Sequence, residues 1–434
     1  MMQTMNQTLA NSRDRLIARG LSHQHPIFVR SARGARLTDV DGREYIDLTS
    51  GIGVNNLGHN HPAVVEAVKH QAGELMHSCF QVGMYASYLE VAERLHRLSP
   101  GQFEKKTFLT NSGAEAIEGA VKFARAFTKR EAVLTFQYSF HGRTFYALRM
   151  TGRANPYRAG FGSLSGEVAR LPFPNAYRMT EGDEEACAEQ ILARLEELFL
   201  TELPPEAFAA IVFEPILGEG GIIVPPKGFL RRIAERCREA GIVIIADEVQ
   251  TGIGRTGWFA ASEAFDVAAD LMVFAKSLGF GLPLAAVTGR AEIIDSLPPG
   301  GLGGTLGGNP MACAAAIAGL DAIEAEGVMQ KARESGQRAL KKLKDIQQGC
   351  ELVGDVRGLG LMIGVELVSD RMSRKPAVAE TRWVAEKCRE RGVLVLYGGA
   401  FGNVIRMLPP LTIENTELEG ALETLDEVLN EASL

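Results

Sequence analysis

The fold is decided by the stretch Ile242-Val243-Ile244-Ile245-Ala246-Asp247, in which five consecutive apolar residues end on a carboxylate. A run that is apolar at every position is typical of a strand buried on both faces, because a strand with one face in water alternates apolar and polar residues. Similar bursts are Thr107-Phe108-Leu109, Val133-Leu134-Thr135-Phe136, Ala210-Ile211-Val212-Phe213 and Leu271-Met272-Val273-Phe274. With amphipathic helical patterns between them, the bursts predict an α/β fold with a mostly parallel central sheet.

The chain changes pattern on either side of these bursts. Residues 1–60 contain short strand patterns with turn signals, of which Asp41-Gly42 is the clearest. Residues 61–325 alternate apolar bursts with helices, and residues 326–434 mix helices and strands in an α+β pattern. We therefore expect a large α/β domain in the middle of the chain and a smaller α+β domain.

Composition and charge exclude several classes of protein. The 434 residues carry a net charge of −7, which argues against nucleic acid or an anionic membrane as a bulk partner. No apolar run approaches the roughly 18 residues that a membrane helix requires, and the first residues lack the apolar segment of a signal peptide. The six cysteines are scattered, so we expect reduced thiols in the cytoplasm.

Polar residues stand where the predicted strands end. Glu214, Asp247 and Lys276 each follow an apolar burst directly or after one residue, and segments 111–113 and 139–143 follow two others. In open α/β sheets, ligands bind at the carboxyl ends of the strands, so these residues should meet at one edge. Each has an ordinary interpretation when taken alone, such as a helix cap or a solvent-facing lysine. Their coincidence at one edge indicates a site.

Nucleotide and metal motifs do not explain this site. Gly252–Gly257 matches GxGxxG, the basis for a competing hypothesis of a nucleotide-dependent oxidoreductase. The segment does not stand directly between a strand and a helix, as the dinucleotide fingerprint requires. Lys276-Ser277 resembles the end of a P-loop, but Ala275 occupies the glycine position. No HExxH motif is present, and we expect no metal site.

The remaining explanation is pyridoxal 5′-phosphate, a cofactor with a phosphate, an aldehyde and a basic ring nitrogen. Its aldehyde requires a lysine and its ring nitrogen a carboxylate. Lys276 and Asp247 would supply these groups from the ends of different strands. Ser112, Gly113 and Ala114 are predicted to open a helix, and backbone N–H groups at a helix N-terminus can hold a phosphate.

These residues resemble the class III aminotransferases of the fold-type I pyridoxal phosphate family. The similarity keeps the family's order and extends from about Ile27 to the C-terminus. The matching stretches are Asn111-Ser112-Gly113-Ala114-Glu115-Ala116, Ser139-Phe140-His141-Gly142-Arg143, Ala246-Asp247-Glu248-Val249-Gln250-Thr251-Gly252, Phe274-Ala275-Lys276-Ser277, Gly303-Gly304-Thr305 and Gly307-Gly308-Asn309-Pro310. The resemblance implies that residues 1–60 and 326–434 together form the small domain and that residues 61–325 bind the cofactor.

The resemblance also assigns roles at the cofactor. Lys276 would be the attachment and proton-transfer lysine, Asp247 would pair with the ring nitrogen, and Thr305 would reach the phosphate of the other subunit in a homodimer. Family members often have tyrosine in place of Phe140 and serine in place of Ala114, and both changes remove a hydroxyl group. The residues implied at the cofactor are Ser112, Gly113, Ala114, Phe140, His141, Glu214, Asp247, Val249, Gln250, Lys276 and Thr305.

Within the class, further stretches are most similar to the 4-aminobutyrate aminotransferases. They are Leu57-Gly58-His59, His77-Ser78-Cys79-Phe80-Gln81, Ile216-Leu217-Gly218-Glu219-Gly220-Gly221, Val287-Thr288-Gly289-Arg290-Ala291-Glu292 and Asn403-Val404-Ile405-Arg406. The similarity implies that Arg143 binds the distal carboxylate and that Ile52 forms a pocket wall. It further implies that Arg406 binds an α-carboxylate and that Glu219 neutralises Arg406 when no α-carboxylate is present.

The expected reaction is ping-pong transamination between 4-aminobutyrate and 2-oxoglutarate, which yields succinate semialdehyde and glutamate. Aminotransferases acting on 5-aminovalerate, ornithine, acetylornithine or lysine share the arginine at Arg143, and dialkylglycine decarboxylases share the scaffold. The amine donor therefore stays open at this stage, as does the pairing of dimers into tetramers.

Overall fold

The computed structural model describes residues 4–433 and contains three β-sheets with helices packed around them. The strands are β1 (Val29–Arg33), β2 (Arg36–Asp39), β3 (Glu44–Asp47), β4 (Lys105–Thr110), β5 (Ala132–Phe136), β6 (Val168–Leu171), β7 (Phe208–Phe213), β8 (Val243–Asp247), β9 (Leu271–Phe274), β10 (Ala285–Arg290), β11 (Val353–Leu359), β12 (Met362–Asp370), β13 (Lys375–Pro376), β14 (Val393–Leu394), β15 (Leu396–Gly398) and β16 (Val404–Met407).

The α-helices range from single turns to six turns in length. They are α1 (Met5–Leu16), α2 (Ser50–Gly53), α3 (Pro62–Glu74), α4 (Ala86–Leu98), α5 (Gly113–Thr128), α6 (Phe145–Met150), α7 (Ala176–Met179), α8 (Glu184–Thr201), α9 (Phe229–Glu239), α10 (Ala291–Ile294), α11 (Pro310–Ala325), α12 (Val328–Gly349), α13 (Val378–Glu390) and α14 (Asn415–Ala432). A π-helical turn covers Ala154–Arg158, and short 3₁₀-helices cover Pro205–Ala207, Ala261–Phe265 and Lys276–Gly279.

The largest sheet has seven strands in the order β4-β10-β9-β8-β7-β5-β6. Strands β5 to β9 pair in parallel, and β10 runs antiparallel to both β9 and β4. Both faces are covered: Ile245 packs in one core cluster with residues of α5, whereas Ile244 and Ala246 pack in the other with residues of α8 and α9. This double burial explains why the strands are apolar at every position, and it confirms the predicted mostly parallel α/β fold.

Two smaller sheets are built largely from the ends of the chain. One has the order β1-β2-β3-β14, and its β3–β14 pairing is parallel, so it joins the early strands to a late one. The other has the order β11-β12-β16-β15, with β13 beside β12. The predicted domain boundaries at residues 60/61 and 325/326 stay a prediction. Residues 1–3 and 434 of the predicted small domain lie outside the described residues.

The described residues contain neither a membrane-spanning helix nor a cluster of metal-ligating side chains. Among residues 4–433, none of the helices combines the length and apolar character needed to cross a membrane. The same residues contain no group of three or more His, Cys, Asp or Glu side chains placed to hold a metal ion.

The packing of α12 against the β11–β12 turn gives a prediction on stability. A Cβ atom at Gly336, in the middle of α12, would lie 2.1 Å from the carbonyl oxygen of Gly360. We expect Gly336→Ala to lower the free energy of unfolding by about 1–3 kcal/mol, because backbone must move to make room. Gly420→Ala, at an exposed position in α14 with no atom near the new Cβ, should instead raise it by about 0.5–1 kcal/mol.

Denaturant unfolding of the wild type and both variants measures these differences. The close approach of α12 to Gly360 would be contradicted by a Gly336→Ala protein as stable as Gly420→Ala.

Candidate active site

A cavity of about 400 Å³ lies at the carboxyl ends of the central strands. Its walls come from the segments that follow β4, β5, β7, β8 and β9, so the edge predicted from the sequence is where the cavity forms. The sequence-predicted residues in its lining are Ser112, Gly113, Ala114, Phe140, His141, Glu214, Glu219, Asp247, Val249, Gln250 and Lys276.

Asp247 is the last residue of β8 and is held by two contacts. Its Oδ2 accepts a 2.7 Å hydrogen bond from Nδ1 of His141, and its Oδ1 accepts one from the backbone N–H of Val249 at 3.1 Å. Nε2 of His141 lies 3.0 Å from the hydroxyl of Thr135, so the imidazole is fixed at both nitrogens. All three side chains are buried. A carboxylate fixed in this way keeps lone pairs free to face a cationic ring nitrogen.

Lys276 stands two residues beyond β9, in a strained backbone conformation. Its φ is +48°, in the left-handed region that non-glycine residues seldom occupy, and such strain is concentrated at functional sites. Burial lowers the pKa of the Lys276 ammonium below its ordinary value, although the carboxylates of Glu219, Glu214 and Asp247 oppose the shift. A lysine with a lowered pKa exchanges protons near neutral pH more readily than a free one.

The N-terminus of α5 forms a second wall of the cavity. Ser112 is the N-cap, and its hydroxyl accepts from the backbone N–H of Glu115, as the sequence predicted for a helix start. A Cβ on Gly113 would lie 3.0 Å from a methyl group of Val249, so the glycine lets this turn pack closely against the segment that follows β8. The first N–H groups of a helix lack partners within it, and the residues that carry them here line the cavity, so they could bind a phosphate.

Glu214 is a buried carboxyl group just beyond β7. It accepts hydrogen bonds from the backbone N–H groups of Phe140 at 2.8 Å and of Gly218 at 3.0 Å. Burial raises the pKa of Glu214 to about 7, with the nearby Asp247 adding to the shift and His141 opposing it. Glu214 therefore ties the segments that carry Phe140 and Gly218 together at the cavity.

Gln250 provides a direct test of whether pyridoxal phosphate fits. Its buried Oε1 has no hydrogen-bond partner among residues 4–433, and a Cβ on Gly218 would lie 2.1 Å from it. A buried acceptor without a partner is costly unless a ligand supplies the donor, such as a ring hydroxyl. With Lys276, Asp247 and the start of α5 around the same cavity, the side chains present fit the cofactor.

The Arg406 side chain is neutralised within the protein. Arg406 lies on β16, is buried, and donates from Nη1 to Oε1 of Glu219 at 2.7 Å and to the carbonyl of Gly218 at 3.3 Å. Burial opposes ionisation of Glu219, but the Arg406 guanidinium outweighs it and lowers the pKa of that carboxyl. Nε of Arg406 is buried without a partner among the described residues, which leaves a donor for a ligand.

Arg143 has different surroundings. Its guanidinium carbon lies 4.9 Å from the ring centre of Tyr157 and 5.9 Å from that of Phe140. Within residues 4–433 it forms no ion pair with a carboxylate, unlike Arg406. The cavity lining formed by these residues includes neither Arg143 nor Arg406, and it also lacks Ile52 and Thr305. Ile52 and Thr305 are exposed, and Ile52 has a φ of +68°.

Several residues at the site have a weak sequence signal or none. The segment 281–284 lines the cavity, and its signal was Gly281, whose φ of +107° requires glycine. Thr135 was not predicted as a site residue, although a polar residue inside an otherwise apolar burst indicates a buried hydrogen bond. Tyr157 gave no sequence signal, because its contact with Arg143 depends on how a loop folds back.

The raised pKa of Glu214 gives a prediction on pH dependence. Between about pH 4.5 and 7 the folded protein retains a proton on Glu214 that the unfolded chain releases, so this group makes stability fall as pH rises. Glu214→Gln removes that dependence but also one accepted hydrogen bond. We expect the cofactor-free variant to be less stable than the wild type at pH 5, with a smaller deficit or none at pH 8.

Unfolding free energies of the cofactor-free proteins at four pH values between 5 and 8 measure the difference. Glu235→Gln, at an exposed glutamate of α9, is the matched control. A Glu214→Gln deficit that stays constant across the range would show that the carboxyl does not titrate there.

Comparison with known proteins agrees with this geometry. The sequence matches the family model for aminotransferase class-III over residues 17–429. It is 45% identical to the 4-aminobutyrate aminotransferase of Escherichia coli K12 over 98% of this chain and 99% of that protein. It is 44% identical to a 5-aminovalerate aminotransferase of Pseudomonas putida KT2440, over 99% of this chain and 100% of the other.

Solved structures share the whole fold. An (S)-enantioselective ω-transaminase from Thermomicrobium roseum is 31% identical and superposes with a TM-score of 0.92 over 100% of both chains. A PLP-bound amine transaminase from an uncultivated Pseudomonas species is 30% identical, with a TM-score of 0.88 over 96% of this chain and 98% of the other. The protein therefore belongs to the class III aminotransferases, a family of pyridoxal-phosphate-dependent enzymes that act on amines and oxo acids.

Proposed function

We propose that this enzyme transfers the amino group of 4-aminobutyrate to 2-oxoglutarate, giving succinate semialdehyde and glutamate. The observation that carries the proposal is the difference between the two arginines. Arg406 is buried and paired with Glu219 at 2.7 Å, whereas Arg143 faces aromatic rings. Such a site can bind one carboxylate in the first half-reaction and two in the second.

In the first half-reaction, Arg143 would hold the distal carboxylate of 4-aminobutyrate. A planar guanidinium suits this task because it can donate two parallel hydrogen bonds to one carboxylate. The amine-bearing end would then lie beside Lys276 and have no α-carboxylate. The ion pair with Glu219 prevents the Arg406 charge from facing that apolar carbon chain.

Pyridoxal phosphate, when bound, supplies an electron sink and carries the amino group from donor to acceptor. Nζ of Lys276 would remove the proton from the amine-bearing carbon and return one in the second half-reaction. Asp247, oriented by His141, would keep the ring nitrogen protonated. Ser112, Gly113 and Ala114 would hold the phosphate, Phe140 and Val249 would pack on the two ring faces, and Gln250 would meet the ring hydroxyl.

In the second half-reaction, 2-oxoglutarate brings an α-carboxylate as well as a distal one. Arg143 would bind the distal group as before, and Arg406 would bind the α-carboxylate after Glu219 turns away. The free Nε of Arg406 and its paired Nη1 would then both donate to the substrate. Ile52 would stand beside the substrate as part of the pocket wall.

A second candidate donor is 5-aminovalerate. It is favoured by the relative that is named a 5-aminovalerate aminotransferase and is 44% identical to this chain, close to the 45% of the 4-aminobutyrate enzyme. The two donors differ by one methylene group between amine and carboxylate. The distance between Arg143 and Lys276 would therefore decide between them.

The proposal extends to assembly and compartment. We propose a homodimer in which Thr305, exposed in the single chain, reaches the phosphate site of the other subunit. Its subunits would each combine a cofactor-binding domain of residues 61–325 with a small domain from both chain ends. All six cysteines are unpaired within the described chain, which supports the reducing cytoplasm as its location.

A panel of single-turnover half-reactions tests the donor. We expect the ratio of rate constant to KM for 4-aminobutyrate to exceed that for 5-aminovalerate by about 10-fold or more, since one methylene is worth about 1–3 kcal/mol in a fitted pocket. The change in the cofactor's absorbance spectrum on taking up the amino group reports each reaction. Ornithine belongs in the panel, and carbon dioxide release would reveal a decarboxylase. A faster reaction with 5-aminovalerate would replace the proposed donor.

The Glu219–Arg406 pair gives a second prediction. Arg406→Ala should slow the 2-oxoglutarate half-reaction by about 30- to 150-fold, because a charge-assisted contact of 2–3 kcal/mol is lost. The 4-aminobutyrate half-reaction should slow much less. Glu219→Gln is the matched variant and should reverse the bias, since Arg406 then faces the carbon chain with its charge uncompensated. Equal losses of rate in both half-reactions would exclude the proposed replacement of Glu219 by an α-carboxylate at Arg406.

A further inference from the structure

Within the described residues 4–433, the Arg143 guanidinium is paired with aromatic rings and with no carboxylate. Its guanidinium contacts two aromatic rings, and Tyr157 is the nearer, with 4.9 Å between the guanidinium carbon and the ring centre. The rings of Tyr157 and Phe140 are 5.1 Å apart and inclined at 60°, so they form a continuous aromatic wall beneath the cation. Phe140 lines the cofactor cavity, which connects this wall to the reacting centre.

The segment that carries Tyr157 is tied to the other substrate-binding arginine. Arg153, four residues earlier, donates from Nη1 to the carbonyl of Gly399 at 2.9 Å. The neighbouring Gly398 lies against Arg406, because a Cβ there would be 3.5 Å from Nη2 of that side chain. The π-helical turn that carries Tyr157 is therefore anchored next to Arg406 at its start and contacts Arg143 through the Tyr157 ring.

Aromatic support has a physical advantage over an ion pair at this position. A carboxylate partner would occupy the donor edge of the guanidinium and would have to be displaced by every substrate, as Glu219 must be at Arg406. A ring contacts the face of the cation and leaves its N–H edge free. Such a contact still orients the planar group, and for an exposed guanidinium such as that of Arg143 it is worth roughly 2- to 5-fold in binding.

We propose that Tyr157 is a positioning residue for substrate specificity: its ring fixes the Arg143 guanidinium and so sets the chain length that fits between Arg143 and Lys276. The inference rests on the proposed role of Arg143 as the receptor of the distal carboxylate. Tyr157 itself touches Arg143 and not the reacting atoms. Without its ring, Arg143 would still carry charge but would hold a carboxylate at variable distance.

The surroundings of the phenol agree with a neutral ring. Burial raises the pKa of Tyr157, and the carboxylate of Glu219 adds to the shift, while the guanidinium groups of Arg143, Arg153 and Arg406 oppose it. The ring therefore stays uncharged at neutral pH, so its face remains the contact for Arg143. This predicts that the ring matters and the hydroxyl does not.

The first test measures binding without turnover. Butyrate has the distal carboxylate but no amine, so it reports on Arg143 in the cofactor-loaded enzyme by calorimetry. We expect Tyr157→Leu to raise the butyrate Kd by about 3- to 5-fold, and Tyr157→Phe to change it by less than about 2-fold. Tyr157→Met serves as a second non-aromatic variant should Tyr157→Leu fail to fold. Butyrate binding unchanged in both non-aromatic variants would overturn the proposal, as would an equal loss in Tyr157→Phe.

The second test asks whether Tyr157 acts through Arg143. In half-reactions with 4-aminobutyrate, Tyr157→Leu should lower the ratio of rate constant to KM by about 3- to 5-fold in the wild-type background. The same substitution should lower that ratio by less than about 2-fold when Arg143 is already alanine. Tyr157→Leu should also bring the ratio of the two donors' rate-constant-to-KM values, 4-aminobutyrate over 5-aminovalerate, closer to 1. Equal losses in both backgrounds would show that Tyr157 only supports the fold.

These outcomes separate the inference from the proposed function. If the wild-type enzyme prefers 5-aminovalerate, the proposed donor is wrong, yet the butyrate Kd values and the Arg143 cycle still decide the role of Tyr157. If Arg143→Ala binds butyrate as the wild type does, the receptor role of Arg143 is wrong, and the inference fails with it.

Discussion

The parallel register of β7, β8 and β9 is the constraint on which the site depends. Phe213 pairs with Ala246, and Asp247 pairs with Val273, so Glu214, Asp247 and Lys276 leave the sheet side by side. A slip of one residue would turn Asp247 toward the opposite face of the sheet. Close packing on both faces opposes such a slip, because each side chain would then leave the neighbours against which it is packed. The same burial raises the pKa of Glu214 and lowers that of Lys276.

Much of this site followed from the sequence because it lies at strand ends. Asp247 and Lys276 come directly after apolar bursts, and parallel strands bring their carboxyl ends together whatever the loops do. Helix α5, with Ser112 as its N-cap, was equally predictable from the sequence, because a capping residue, a glycine and an amphipathic pattern occur together there. Residues whose positions depend on how loops fold could not be predicted from the sequence. Tyr157 and the segment 281–284 reach the site only because the chain turns back, and no local pattern encodes that return.

The family resemblance supplied what strand ends could not. Nothing about Arg406 in its own segment distinguishes it from a strand arginine facing solvent, and Glu219 lies 187 positions away in the sequence. Their contact at 2.7 Å is set by tertiary structure, since Arg406 belongs to the five-stranded sheet and Glu219 follows β7 of the seven-stranded one. The contact between the rings of Phe140 and Tyr157 likewise depends on how the segment that carries Tyr157 folds.

The Glu219 segment is itself anchored, which restricts how the pair can open. Arg357, on β11, donates to the carbonyls of Gly221 at 2.7 Å and Ile222 at 2.9 Å, and its Nη1 binds Glu366 on β12. The backbone beside Glu219 is therefore tied to the same sheet that carries Arg406. Because both partners share this support, separating them by backbone movement would break several buried hydrogen bonds. Rotation of the Glu219 side chain leaves this backbone in place, so the proposed exchange between substrates requires only a side-chain movement.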